Sequence, residues 1–208
     1  MARSFKTKTK RRGIRRQKPI ILIIAEGKNV TESQYFKSFQ KENANYNIKI
    51  LIPGHTTDPV GMQKKIDKFW QENDMSEEKG DKAYIVLDLD CDENKANLIK
   101  KLSKKSEIST FIISNPCFEV WFLLHFRYST KEYHNSPETV KDLKNYIPNY
   151  EKNTDVAPII ENSIEKALKN AGRLEKHFDE LGYDWPSNKC NPRTDVSIII
   201  EKIRFLDI

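Results

Sequence analysis

The chain has 208 residues, enough for one ordinary domain with a real core plus small appendages and too few for a large multidomain machine. Hydrophobic residues make up 38% and aromatics 10%, so a disordered chain is excluded, and no apolar run approaches the roughly 18 residues that span a bilayer. The net charge of +6 is unevenly placed: Arg3, Lys6, Lys8, Lys10, Arg11, Arg12, Arg15, Arg16 and Lys18 fall in residues 1–18, which hold no acid, so the remainder is mildly acidic.

The expected organisation is a basic disordered tail over 1–18, an α/β core over 19–130 and a helical extension over 131–208 packed on it. The apolar run that begins at Pro19 ends at Glu26 with no small-residue cleavage site after it, so no signal peptide is expected. Cys91, Cys117 and Cys190 are an odd count without paired spacing, which fits a reducing cytoplasm and no disulfide framework.

Residues 19–25 form a continuous β-branched apolar run, the pattern of a strand buried on both faces. Thr31 is the expected cap of a following helix, with Gln34 at the capping-box position and Tyr35, Phe36 and Phe39 facing a core. Ile48–Ile52 alternates as a strand. Met62, Ile66, Phe69 and Trp70 recur at helical spacing, predicting a helix over 60–73. Ala83–Leu87 and Ser109–Ser114 repeat the buried-strand pattern, with a helix over 93–104 between them and an apolar helix over 118–128 after them. Beyond residue 131 the periodicity predicts helices over 136–146, 158–180 and 192–205. Strands alternating with helices give an α/β fold with a central, mostly parallel sheet and helices on both faces.

In such sheets ligands bind outside the carboxyl ends of the strands. Acids stand at two of those ends: Glu26 after the first, and Asp88 and Asp90 after the third. Strand alternation puts Asp88 and Asp90 on one face, where two close carboxylates repel unless a proton or cation sits between them. A hard divalent ion resolves that conflict. Asp92 and Glu93 are further acids nearby, and Gly27 permits close approach to a phosphate. Acids in this position also serve as helix caps or solvated loop residues.

The set Ile20–Gly27 with Thr31-Glu32 and Tyr35-Phe36, then His55 to Pro59, then Asp88-Leu89-Asp90, resembles the Toprim domain of topoisomerases, primases and overcoming-lysogenization-defect nucleases. The string from Ser114 to Phe126 is similar to the signature of the RloB-like family, and Asn191-Pro192-Arg193-Thr194 with Val196 resembles its tail. The likeness covers roughly residues 15–205. It implies a Toprim-like catalytic core with Mg²⁺ or Mn²⁺ as cofactor and phosphodiester cleavage as activity. It further implies a place in bacterial phage defence, beside restriction loci and together with an AAA-type ATPase. Carried over by position, Glu26 is a metal ligand or general acid/base, Asp88 and Asp90 are the metal pair, and Glu119 is a further catalytic acid.

The remaining polar residues have two readings each. Lys28 is a phosphate contact or a solvated charge. His55 is a phosphate contact, a proton relay or a loop histidine. Asn115 caps the next helix or lines the site, and Glu119 equally suits a helix's first turn. His125 reads as a hydrogen-bonded core histidine, and Trp70, Trp121 and Trp185 as core. Lys10, Arg11, Arg12, Arg15, Arg16 and Lys18 form an arm for nucleic acid without sequence reading. The leading expectation is a metal-dependent nuclease. A non-catalytic nucleic-acid or partner-binding role, an RNA-directed toxin and a small-molecule phosphotransferase stay open. A homo-oligomer is expected on base rate and a membrane partner is not.

Overall fold

The structure is a computed structural model that describes residues 18–26, 31–54 and 58–207. Lys10, Arg11, Arg12, Arg15, Arg16, Gly27, Lys28 and His55 lie outside the described residues.

Five strands make one sheet: β1 (Ile20–Ala25), β2 (Asn47–Leu51), β3 (Lys82–Asp88), β4 (Ser109–Asn115) and β5 (Arg193–Thr194), in the order β2-β1-β3-β4-β5. The first four are parallel, and β5 pairs antiparallel with the end of β4. The α/β architecture with a mostly parallel sheet is therefore as the sequence predicts.

Period-two alternation splits the buried strands between two cores. Ile21, Ile23, Tyr84, Val86 and Ile112 face one side, while Leu22, Ile24, Ile85, Leu87 and Ile113 face the other. This is why the strands read as unbroken apolar runs rather than alternating ones. The second face is covered by α2 (Pro59–Glu72) and α3 (Glu93–Ser103) through Met62, Ile66, Ala96 and Ile99. The first is covered by α1 (Thr31–Lys37), α4 (Glu119–Phe126), α5 (Ser136–Leu143), the short α6 (Ala157–Ile160), α7 (Ile164–Glu180) and α8 (Val196–Asp207). Residues beyond 131 share that core through Leu143, Leu174, Ile199 and Ile200.

Local chemistry sets the helix starts. Asp58 caps α2 by accepting from Gly61 N at 2.9 Å, with Pro59 in the first turn. Asp92 caps α3 through Asn94 N and Lys95 N. Asn135 caps α5 through Glu138 N.

Two sequence expectations change. The helix predicted over 192–205 begins at Val196 instead, because Arg193 and Thr194 extend the sheet and Thr194 Oγ1 meets Ser114 Oγ at 2.7 Å. The helix predicted over 158–180 is broken by a 3₁₀ turn at Glu161–Ser163. Among the described residues no helix is long and apolar enough to cross a membrane.

Candidate functional site

The parallel strands change direction of succession between β1 and β3: from β1 the chain moves to β2 on one side, then returns to β3 on the other. Such a switch point leaves a crevice at the carboxyl ends of the two strands. Glu26 directly follows β1, with its N–H bonded to Val86 O of β3 at 3.0 Å, and Asp88 is the last residue of β3. The structure thus brings Glu26 and Asp88 to one crevice.

Asp90 arrives there by a different route from the one its spacing suggests. β3 ends at Asp88, and Asp90 and Cys91 take left-handed backbone conformations with φ of 54° and 58°. The turn is fastened to the end of β4: Leu89 N donates to Ser114 O at 2.7 Å, Asp90 N to Pro116 O at 2.9 Å, and Cys91 N to Asn115 Oδ1 at 3.2 Å. Asp90 is exposed, whereas Asp88 is held by the Phe118 N–H on its Oδ1 at 2.8 Å. The two aspartates consequently occupy different environments rather than one strand face.

Glu119 opens α4 and is 2% exposed, with its Oε1 accepting from Tyr150 OH at 2.9 Å. A buried, bonded carboxylate is more than a solvated first-turn charge. Glu32 on α1 joins the group, although spacing did not single it out. It is 8% exposed, and its Oε2 has no hydrogen-bond partner among the described residues. The available signal was its place in the first turn of the helix after β1, six residues beyond Glu26.

The electrostatics record the crowding. Burial pushes the Asp88 carboxyl well above the ordinary range, and Glu32, Glu119, Asp90 and Glu26 push it further. Burial likewise raises Glu32 to about 7, with Glu119 and Glu26 adding to the effect. Two lysines oppose these charges. Lys95 Nζ bonds both Glu26 oxygens at 2.9 and 2.8 Å and Asp90 Oδ2 at 3.3 Å. The proton affinity of Lys152 is raised despite partial burial, by Glu119, Asp88, Cys117 and Glu32.

Several predicted candidates have structural roles. Asn115 is fully buried and does not cap α4; its amide donates to Ser187 O, Asn188 O and Cys190 O at 3.0–3.3 Å. Asp92 caps α3, and Glu93 accepts from Asn188 N and Ser187 Oγ. The Thr31 hydroxyl, expected as a cap, donates to Lys152 O. His125 is a core residue, as expected, with Nδ1 facing Ile160 O and Ser163 Oγ, and burial lowers its pKa to about 4. Lys18 lies beside the start of β1, at the opposite end of the sheet from the acids, and donates to Ala44 O at 2.5 Å.

The donor set is oxygen-only and includes a buried, unpartnered carboxylate oxygen, which suits a hard divalent ion. Among the described residues no three acidic, histidine or cysteine side chains are arranged to enclose one ion. Mg²⁺ does not require such a cage, since it commonly takes one or two protein carboxylates and keeps waters for the rest. The residues therefore fit Mg²⁺ or Mn²⁺ held partly by water, with Asp88 and Glu32 as the acids not already engaged by Lys95.

No curated protein and no solved structure matches the chain. The family model for RloB-like protein matches residues 21–203, a span running from β1 into α8. The chain belongs to the RloB-like family.

Proposed function

We propose that this protein is a metal-dependent nuclease with a Toprim-like core, cleaving phosphodiester bonds in nucleic acid in anti-phage defence together with an AAA-type ATPase. The carrying observation is the convergence of Glu26, Glu32, Asp88, Asp90 and Glu119 on a sheet switch point with more negative charge than Lys95 and Lys152 balance. The defence role and the ATPase rest on the family resemblance.

Within this reading Asp88 and Glu32 would hold Mg²⁺ or Mn²⁺ with waters filling the rest of its shell, and Glu26 and Asp90 would join them where Lys95 releases them. The ion supplies charge neutralisation at the phosphate and a water of lowered pKa. Asp88 is the fixed point, because the N–H of Phe118, the residue just before α4, orients it. Glu32, whose carboxyl burial raises to about 7 in the metal-free site, would lose its proton as an ion enters and offer it an otherwise unpartnered oxygen. Tyr150 holds Glu119 in place from behind. A cleft of about 390 Å³ opens beside Tyr150, lined by Lys144 and Lys152 among others. These ammonium groups give a phosphate backbone its approach to an otherwise repelling site.

A non-catalytic nucleic-acid or partner-binding role is favoured by one observation, that Lys95 already neutralises Glu26 and Asp90. Labelled single- and double-stranded DNA and RNA separate the two, incubated with Mg²⁺, Mn²⁺ or EDTA and with or without the ATPase. Wild type is compared with Glu26→Gln and Asp88→Asn, each shown to fold by circular dichroism. Cleavage that requires the ion and drops by about 10²-fold or more in both variants is the expected result. Well-folded wild type that binds nucleic acid without cutting any substrate, ATPase present, establishes the binding role instead.

A further inference from the structure

Lys95 projects from α3 across the ends of two strands. Its main chain is anchored by the Asp92 cap at the start of the helix, to which Lys95 N itself donates. Its side chain is only 15% exposed, and the ammonium touches both oxygens of Glu26 and one of Asp90. Glu32, more than nine-tenths buried, adds to the same site an oxygen with no partner among the described residues. The acids that would hold an ion thus divide into a pair already joined by an internal cation and a remainder that is not.

We propose that Lys95 is the resident cation of the metal-free site and competes with the divalent ion for Glu26 and Asp90. The inference rests on the metal-dependent reading above and specifies how that site loads. An ammonium and a divalent ion cannot share the same carboxylates without strong repulsion at these separations. Lysine suits a removable plug, because its charge sits at the end of a flexible four-carbon stem and can swing away without disturbing α3. The ammonium preserves the pocket while no metal is bound, at the expense of metal affinity.

Mn²⁺ titrated into the full chain without nucleic acid tests this, followed by the electron paramagnetic resonance signal of free Mn²⁺. Wild type is compared with Lys95→Met, Lys95→Gln, Lys95→Arg and Asp88→Asn at one pH and salt concentration. Lys95→Met should bind Mn²⁺ at least about tenfold tighter than wild type, a change of about 1.4 kcal/mol in binding free energy. Lys95→Gln should follow it, guarding against a variant that fails to fold, while Lys95→Arg should bind no tighter than wild type. Adding Asp88→Asn to Lys95→Met should weaken its binding. Equal or weaker Mn²⁺ affinity in both folded neutral variants, with wild-type binding still sensitive to Asp88→Asn, overturns the role of Lys95 and leaves the metal reading standing. Absence of Asp88-dependent Mn²⁺ binding in every protein, Lys95→Met included, overturns both.

Discussion

Glu32 shows how a single residue can be costly to the fold and useful to the site. Its carboxyl is buried, one oxygen lacks a partner among the described residues, and its pKa stands at about 7 against an ordinary 4.5. The folded state therefore holds a proton that the unfolded chain releases. Its stabilising contribution is fully present below about pH 4.5 and is lost as pH rises through about 7. Glu32→Gln keeps the shape and removes the titration. In metal-free protein at pH 8 it should raise stability by about 1–2 kcal/mol, with the gain shrinking toward pH 4.5. Urea denaturation across pH 4.5–8 in EDTA reads this directly, and a gain independent of pH would contradict it. The same variant should lose cleavage, since sites that store unfavourable charge do so for function.

At the scale of elements, the long string from Ser114 to Phe126 and the tail motif around Asn191 build the site's frame. Asn115 ties the Asp90–Cys91 turn to the loop at 187–190. Asn191 donates to Tyr133 O at 2.7 Å and to Cys91 Sγ at 3.3 Å. Thr194 joins the end of β4 as part of β5. Asn115→Ala removes the acceptor for Cys91 N and the two N–H donors shared among three backbone carbonyls, so it should cost about 2–4 kcal/mol by denaturant titration. Asn115→Asp should be no milder, because a carboxylate cannot donate to those carbonyls and adds a buried charge. A loss under about 0.5 kcal/mol in either variant would show that the turn is held elsewhere.

These contacts also explain what the sequence could and could not reveal. The buried strands were legible because apolar runs such as Ile20–Ala25 have few other fates, and Glu26 and Asp88 were legible because strand ends are where parallel sheets present chemistry. The place of Asp90 just after β3 was legible but its environment was not, since no local signal shows that the extended chain stops at Asp88 and turns left-handed. β5 was hidden because two residues carry no periodicity and pair with a strand some eighty positions away. Lys95 was invisible because it is defined by its neighbours across the strand ends, and Glu32, although it stands in the Toprim-like set, carries no local sign of its burial.

For the molecule as a whole, Lys18, where the basic segment joins the sheet, and the acids stand at opposite ends of β1. Lys18 lies two residues before β1 and Glu26 just after it, and the extended chain between them spans about 26 Å. Residues 1–17 extended could cover up to about 55 Å, so the arm has the reach to engage nucleic acid well beyond the crevice. The arm's positive charge and the crevice's negative charge then do separate work. On the proposed nuclease reading the arm would supply salt-sensitive affinity and the acids at the strand ends the chemistry. Neutralising Lys10, Arg11, Arg12, Arg15 and Arg16 together to Gln should therefore weaken duplex binding at low salt. It should also flatten the plot of log affinity against log salt by up to about 4–5, near 0.9 for each phosphate the arm no longer neutralises. Cleavage at saturating nucleic acid should stay close to wild type, so the defect falls on half-saturation rather than on turnover. Filter binding at about 50–200 mM salt alongside single-turnover cleavage separates the two quantities. A neutralised arm that abolishes turnover while leaving the salt slope intact would show instead that those charges act at the acids themselves, which lie within the extended reach of residues 1–17.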